Sequence, residues 1–81
     1  MKENVKYKVF TGDVTNEEAV EAYKAEIDMQ VAQFKEGLLS SRELSLFVRG
    51  LNFAWISVNV DFFDKYLEPY WRGIRYEIYG Y

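Results

Sequence analysis

Carboxylates are the side chains of this 81-residue chain that come closest to a catalytic pattern. Asp61 and Asp64 lie three residues apart, and a carboxylate pair can do acid–base work or hold a hard metal ion. An N-cap followed by a first-turn acid explains the same two residues without any chemistry. The chain has no histidine and no cysteine, so Ser40 and Ser41 lack the base of a conventional triad. Gly12 stands alone in its turn, without the other glycines of a phosphate-binding loop. We therefore predict a protein that is not an enzyme and has no cofactor and no metal.

Acidic side chains are concentrated between residues 13 and 36. This segment has seven acids and two lysines, a balance of −5, while the rest has six acids and eight bases, a balance of +2. The net charge of −3 argues against broad binding to nucleic acid or to anionic membranes. The segment is either a solvated helix face or an acidic docking surface.

Aromatic side chains are concentrated at the other end, where eleven of the fifteen lie within residues 47–81. A domain of this size buries a modest share of its surface, and large aromatic residues compensate for a small core. Fifteen rings exceed what one small core hides, so some are predicted to lie at an interface with a partner or with a second copy. Trp, Tyr and Arg are over-represented at such contacts.

No targeting or membrane segment is expected. The first ten residues lack the apolar region of a secretory signal, and no apolar run approaches the length of a membrane span. The absence of cysteine makes folding independent of an oxidising compartment. These features predict a cytoplasmic protein.

The first half of the chain predicts a strand and then a long helix. Residues 4–10 alternate apolar and polar side chains, which favours a half-buried strand, and residues 11–13 form a turn. Residues 15–36 carry apolar side chains at spacings of three and four, with Thr15 and Glu18 as a capping box and Gly37 as a C-cap. The apolar stripe of this helix comprises Val20, Tyr23, Ile27, Val31, Phe34 and Leu38.

Residues 40–50 fit either a helix or a strand. A helix is favoured because Ser40 and Glu43 form a second capping box and Gly50 provides a stop. Residues 51–60 alternate and predict a strand. Asp61 then caps a short helix that ends before Pro69, and residues 73–79 alternate as a last strand.

These elements predict an α+β fold in one domain, residues 1–81. Its helices would cover one face of a three-stranded sheet, or of a four-stranded sheet if residues 40–50 were extended. The covered face would carry Val5, Val9, Ala54, Ile56 and Val58. The open face would carry Lys6, Lys8, Phe10, Phe53, Trp55, Arg75 and Tyr79.

Residues 49–56 resemble the RNP1 octamer of RNA-recognition motif domains at Arg49, Gly50 and Phe53. Residues 8–14 similarly resemble the RNP2 strand, with Phe10 at its aromatic position. The resemblance implies a β-α-β-β-α-β fold in which Phe10 and Phe53 stack on bases. Leu51 and Asn52 depart from the octamer, and the layout requires residues 40–50 to be a strand, so the chain is not assigned to this family.

The preferred hypothesis is a small non-enzymatic protein that binds and regulates or inhibits another macromolecule. Small inhibitors from phages and mobile elements have this composition, and an acidic helix could occupy the basic groove of a nucleic-acid-handling enzyme. A homodimer is a further use of the aromatic surface. The alternative is a single-stranded nucleic-acid-binding module that uses the open sheet face. The residues predicted to contact a partner are Glu17, Glu18, Glu21, Asp28, Phe53, Trp55, Trp71, Arg72 and Arg75.

Overall fold

The computed structural model describes residues 15–81, and 87% of these residues are helical. The described part of the chain contains no strand, so the prediction of an α+β fold was wrong and the fold is all-α. The predicted strand at residues 4–10 and turn at residues 11–13 lie outside the described residues. So do Phe10 and the rest of the RNP2-like segment.

Helix α1, Asn16–Lys35, confirms the long helix predicted from the apolar stripe. Thr15 Oγ1 accepts a hydrogen bond from the Glu18 N–H at 3.1 Å, and the Glu18 carboxylate accepts one from the Thr15 N–H at 3.0 Å. Gly37 ends the helix with φ at +83°, a conformation that glycine adopts without the Cβ clash of other residues. Its N–H and that of Leu38 donate to Phe34 and Gln33, which is a Schellman motif.

Helix α2, Ser41–Val58, begins as predicted and then continues much further. Ser40 and Glu43 form the expected capping box, with hydrogen bonds of 3.0 and 2.8 Å. Gly50 does not stop the helix, and the strand predicted over residues 51–60 is wrong. The RNP1-like octamer therefore lies on a helix, and its resemblance to RNA-recognition motif domains does not extend to the fold.

The third helical stretch starts at Asn59, whose side chain accepts a hydrogen bond from the Phe62 N–H at 3.1 Å. Asp61 was predicted to be this cap, but it lies inside the first turn of α3, Val60–Phe62. A π-helical segment, Phe63–Leu67, follows and leads directly into α4, Glu68–Tyr79.

Pro69 does not end this stretch, contrary to the sequence prediction. It occupies the first turn of α4, where the missing N–H is tolerated. The Glu68 N–H donates to the Phe63 carbonyl five residues back, and this wider π-helical turn accommodates the proline without a break. The strand predicted over residues 73–79 is therefore wrong as well, since α4 continues to Tyr79 and ends at Gly80, with φ at +84°.

The core lies where α1 packs against α2 and against the π-helical segment. Tyr23 is fully buried at its centre, edge-on to Trp55 and Phe63 at ring-centroid distances of 6.5 and 6.4 Å. The Tyr23 hydroxyl donates to Asn52 Oδ1 at 2.6 Å. The remaining buried residues are Ala19, Ile27, Val31, Leu44, Val48, Leu51, Phe62, Leu67 and Trp71.

Five members of the predicted stripe on α1 are core residues or pack on the core, but its last member, Leu38, is 68% exposed. It lies after Gly37, where the chain has already left the helix. Within residues 15–81, no helix is long and apolar enough to cross a membrane.

Candidate protein-binding groove

A groove of about 400 Å³ runs between α2 and α4. One wall comes from α2 and the other from the π-helical segment and α4. We call this cavity the α2–α4 groove. The residues that line it are Ser45, Arg49, Asn52, Phe53, Ile56, Phe63, Glu68, Trp71, Arg75, Tyr79 and Tyr81.

Two hydrogen bonds fix the end of the groove near the start of α2. The Tyr79 hydroxyl donates to the Ser41 carbonyl at 2.5 Å, which ties the end of α4 to the start of α2. Arg75 Nε donates to the main-chain oxygen of Tyr81 at 2.8 Å, which holds the residues after α4 over the groove. At the opposite end, Asn59 turns the chain from α2 into α3. The groove is therefore a defined depression in the surface.

The charged side chains of the groove are mostly basic. Arg49 and Arg75 come from opposite walls. Glu68 is the acid of the lining, and its carboxylate pairs with the Arg72 guanidinium at 2.8 Å. Because that carboxylate pairs with Arg72, the Arg49 guanidinium is available to an acceptor or to an aromatic ring. Arg75 donates its Nε to Tyr81, so a further contact would use its two terminal nitrogens.

A second apolar stripe runs along the outside of α2. Leu46, Arg49, Phe53 and Ile56 recur at spacings of three and four, so they share one face of the helix. Phe53 is 71% exposed and Leu46 is 54% exposed. The buried residues of α2 are Leu44, Val48, Leu51 and Trp55, which occupy the opposite face. We call the exposed set the outer stripe of α2, and part of it forms one wall of the groove.

Three of the five residues predicted on the aromatic surface meet in this groove, namely Phe53, Trp71 and Arg75. Trp71 is mostly in the core, with 7% of its surface exposed, so it contributes an edge and not a protruding anchor. Arg72 lies on the outer side of α4, paired with Glu68.

Trp55 was predicted to lie on an open sheet face, and this is wrong. Its ring is 1% exposed and packs on Tyr23 and Phe62. Its Nε1 has no acceptor among residues 15–81. A partner therefore cannot reach Trp55 unless the core opens.

The four acids predicted as a docking surface all lie on α1, but two of them have intramolecular roles. Glu18 completes the capping box. Asp28 accepts a hydrogen bond from the Tyr70 hydroxyl, and Lys24 Nζ lies over the Tyr70 ring, 5.2 Å from its centroid. Glu17 and Glu21 are exposed, and neither makes a hydrogen bond or an ion pair with residues 15–81.

Two tyrosine hydroxyls near these surfaces are held in the neutral form. The hydrogen bond to Asp28 is the main cause that raises the pKa of Tyr70 to about 12, with burial and the charges of Asp28 and Glu21 acting in the same direction. Burial, and then the nearby Tyr81, raises the pKa of Tyr79. Both hydroxyls therefore stay protonated further into the alkaline range than an ordinary tyrosine.

The sequence analysis did not place Arg49 among the residues that contact a partner, and it placed Ile56 on the covered face of a sheet. The pattern that identifies both residues is a helical periodicity. Leu46, Arg49, Phe53 and Ile56 are separated by three, four and three residues. This periodicity is difficult to recognise in the sequence, because the buried residues of the same helix, Leu44, Val48, Leu51 and Trp55, alternate with the exposed ones.

No family model, no curated protein and no solved structure matches this chain.

Proposed function

We propose that this chain is a small non-enzymatic protein that binds another protein through the α2–α4 groove and thereby regulates or inhibits it. The observation that supports the proposal is the joint presence of Phe53, the edge of Trp71 and two arginines in one groove. Aromatic residues and arginine are the types that dominate the energy of protein interfaces.

The α2–α4 groove is a better candidate for the protein-binding surface than the acidic face of α1 is. All four acids of the predicted set are exposed, but the side chains of Asp28 and Glu18 are held by hydrogen bonds within the molecule. Mimicry of a phosphate backbone depends on a field from many charges of one sign, and Lys24 and Lys35 on the same helix offset part of the acidic charge of α1. Mimicry of nucleic acid is therefore not part of this proposal.

Residues 15–81 form no sheet, and the residues from 53 onward that were assigned to the open sheet face of the nucleic-acid alternative lie on helices. The rings of the groove could still stack on bases, and this is an outcome that an experiment can separate. Trp71 lines the groove whereas Trp55 is enclosed in the core, so a ligand in the groove changes mainly the fluorescence of Trp71.

The test is affinity capture from the source organism with three forms of the protein, quantified by mass spectrometry. The forms are the wild type, Arg75→Ala in the groove wall and Glu21→Gln on the outside of α1. We expect a protein that is retained by the wild type and Glu21→Gln and lost with Arg75→Ala. Circular dichroism must show that Arg75→Ala remains helical.

Equal capture by all three forms would show that the groove is not the binding surface, and loss with Glu21→Gln alone would move the site to α1. A parallel titration with short single-stranded DNA and RNA follows tryptophan fluorescence. We expect no saturable change at micromolar concentrations near physiological salt, because the groove offers two cations and binding scales with phosphate contacts. Saturable quenching there would contradict the proposal of a protein partner.

A further inference from the structure

Helix α2 is apolar on two opposite faces, and only one of them is covered within residues 15–81. The inner face packs in the core through Leu44, Val48, Leu51 and Trp55. The outer stripe of α2 exposes Leu46, Phe53 and Ile56 by 54%, 71% and 38% of their surfaces. A helix with apolar residues on both sides is suited to packing between two neighbours. The outer stripe of α2 is therefore suited to packing against a further helix.

The spacing of the outer stripe matches a second copy of itself. When two α2 helices lie antiparallel about a two-fold axis at residue 51, Leu46 of one copy faces Ile56 of the other. In the same register Arg49 of each copy faces Phe53 of the other, because both pairs are centred on residue 51. Each contact then occurs twice, as an isologous interface requires. The pairs are chemically matched: apolar with apolar, and a guanidinium with an aromatic face.

Gly50 supports the same crossing point. It lies in the middle of α2, is exposed, and a Cβ built there meets no atom within 4 Å. A glycine in a helix interior destabilises the helix relative to alanine, and no described neighbour requires one here. It lies one residue from the centre of the stripe, between Leu46 and Phe53 on the helix surface. A close approach by a second helix would require a small residue at this point.

We propose that two copies of this chain associate through the outer stripes of their α2 helices, antiparallel and centred on residue 51. The inference rests on the proposed function only in treating this face as a protein-binding surface. Because Arg49, Phe53 and Ile56 also line the groove, a second copy and a different protein would compete for this wall. Two α1 helices, with Glu17 and Glu21, remain exposed in such a dimer. Four side chains from each copy form the proposed contact, so we expect a small interface and weak association.

Sedimentation or light scattering of the purified chain gives the first test, because no other protein is present. We expect the mass to rise from monomer towards dimer between about 10 μM and about 1 mM, the range of weak, small interfaces. Phe53→Glu should weaken the dimer at least about tenfold, a change of about 1.4 kcal/mol. Tyr76→Glu is the matched control, since Tyr76 is a 68% exposed aromatic on α4 and is outside both the stripe and the groove.

Gly50→Ala separates association from folding. We expect this variant to weaken the dimer while the isolated monomer becomes more resistant to urea, since alanine favours the helix. A variant that strengthened both would show that no helix approaches at Gly50. This result would overturn the proposed crossing point even if the chain were dimeric.

Disulfide crosslinking tests the register, because the chain has no cysteine of its own. A mixture of Leu46→Cys and Ile56→Cys should form a mixed disulfide dimer under mild oxidation. Leu46→Cys alone should crosslink poorly, since in the antiparallel register its two copies lie ten residues apart, about 15 Å along the helix. Efficient crosslinking of Leu46→Cys alone would favour a parallel pair and overturn the proposal.

A wild-type chain that stays monomeric at about 1 mM would also overturn it, because even weak specific interfaces are populated there. If such a monomer captured a protein through Arg75, the proposed function would stand without the dimer. If the dimer formed and captured nothing, the proposed function would fail and the self-association would stand. The two failures are thus distinguishable.

Discussion

Helices α1 and α2 are similar in length but differ in how their apolar residues are arranged. Helix α1 buries one stripe and exposes acids elsewhere. Helix α2 buries one stripe and exposes a second on the opposite face. A single stripe has the period of a helix and is recognised as one. Two opposite stripes can be mistaken for a strand. Residues two positions apart on a helix lie about 200° apart around its axis, so apolar residues at every second position lie on the two stripes in turn.

This geometry explains the incorrect strand predictions. In residues 51–56, Leu51 and Trp55 are buried while Phe53 is exposed, so apolar residues at every second position alternate between the two helix faces. The same alternation in a strand would place them all on one side of a sheet. Helix α4 repeats the effect, with Ile74 and Ile78 packed on the core and Tyr76 between them exposed.

The largest expected difference lies between the two faces of α2. Leu44→Ala, at a fully buried position, should lower the free energy of unfolding by about 2–5 kcal/mol through lost burial and a cavity. Leu46→Ala, at a 54% exposed position two residues on, should change it by less than about 0.5 kcal/mol in the monomer. Urea unfolding at low protein concentration measures both. Equal losses would mean that the outer stripe is covered within the monomer.

On α1 the inner stripe should behave like that of α2. Tyr23→Ala and Ile27→Ala, both fully buried, should each cost about 2–5 kcal/mol. Chemical denaturation followed by circular dichroism gives the values. Tolerance of Ile27→Ala would indicate that α1 is rotated relative to the core.

Alkaline pH should destabilise the fold through its tyrosines. Burial, then the charge of Glu68, raises the pKa of Tyr23, and the pKa of Tyr70 is raised to about 12. Below pH 10 these groups are protonated in both states, so their contribution to stability is complete. As the pH rises above 10, the tyrosines of the unfolded chain lose their protons first. The free energy of unfolding therefore decreases as the pH approaches the higher pKa values of the folded state.

Urea midpoints measured between pH 8 and about 11.5, a window that begins below the ordinary tyrosine pKa, should therefore decrease above pH 10. Tyr23→Phe removes the most buried of these hydroxyls and should flatten that decrease. A wild-type midpoint that did not change across this window would contradict the assigned environments.

The helix caps should have smaller and nearly equal effects on the two helices. Thr15→Ala and Ser40→Ala each remove a side-chain acceptor from an N3 amide, at 3.1 and 3.0 Å, and should each cost about 1 kcal/mol. Thr15→Ser and Ser40→Thr keep the acceptor and are the controls. Thermal unfolding measures the four variants, and a loss with the controls as large as with alanine would show that the caps are not the cause.

The smallest effect is expected outside the core of α1. Glu21→Gln should change the free energy of unfolding by less than about 0.5 kcal/mol, because Glu21 is exposed. A large loss measured by urea unfolding would show that this acid has a structural role.

The sequence by itself determined the local features of this protein. Both capping boxes, at Thr15 and at Ser40, and the left-handed glycine at position 37 were predicted, because each depends on residues a few positions apart. The stripe of α1 was predicted for the same reason. For the candidate site, the sequence showed that the chain has more aromatic side chains than a small core can bury. Three of the residues predicted on the aromatic surface, Phe53, Trp71 and Arg75, line the groove.

Only the tertiary structure decided how far α2 and the third helical stretch continue. Gly50 and Pro69 are stop signals locally, but burial of Leu51, Trp55 and Trp71 against α1 and the π-helical segment outweighs a cost of about 1 kcal/mol for the glycine. The π-helical turn removes the conflict at the proline. Which of the rings are exposed was decided in the same way, because Trp55 and Phe53 lie two residues apart and only packing across helices assigns one to the core and the other to the surface.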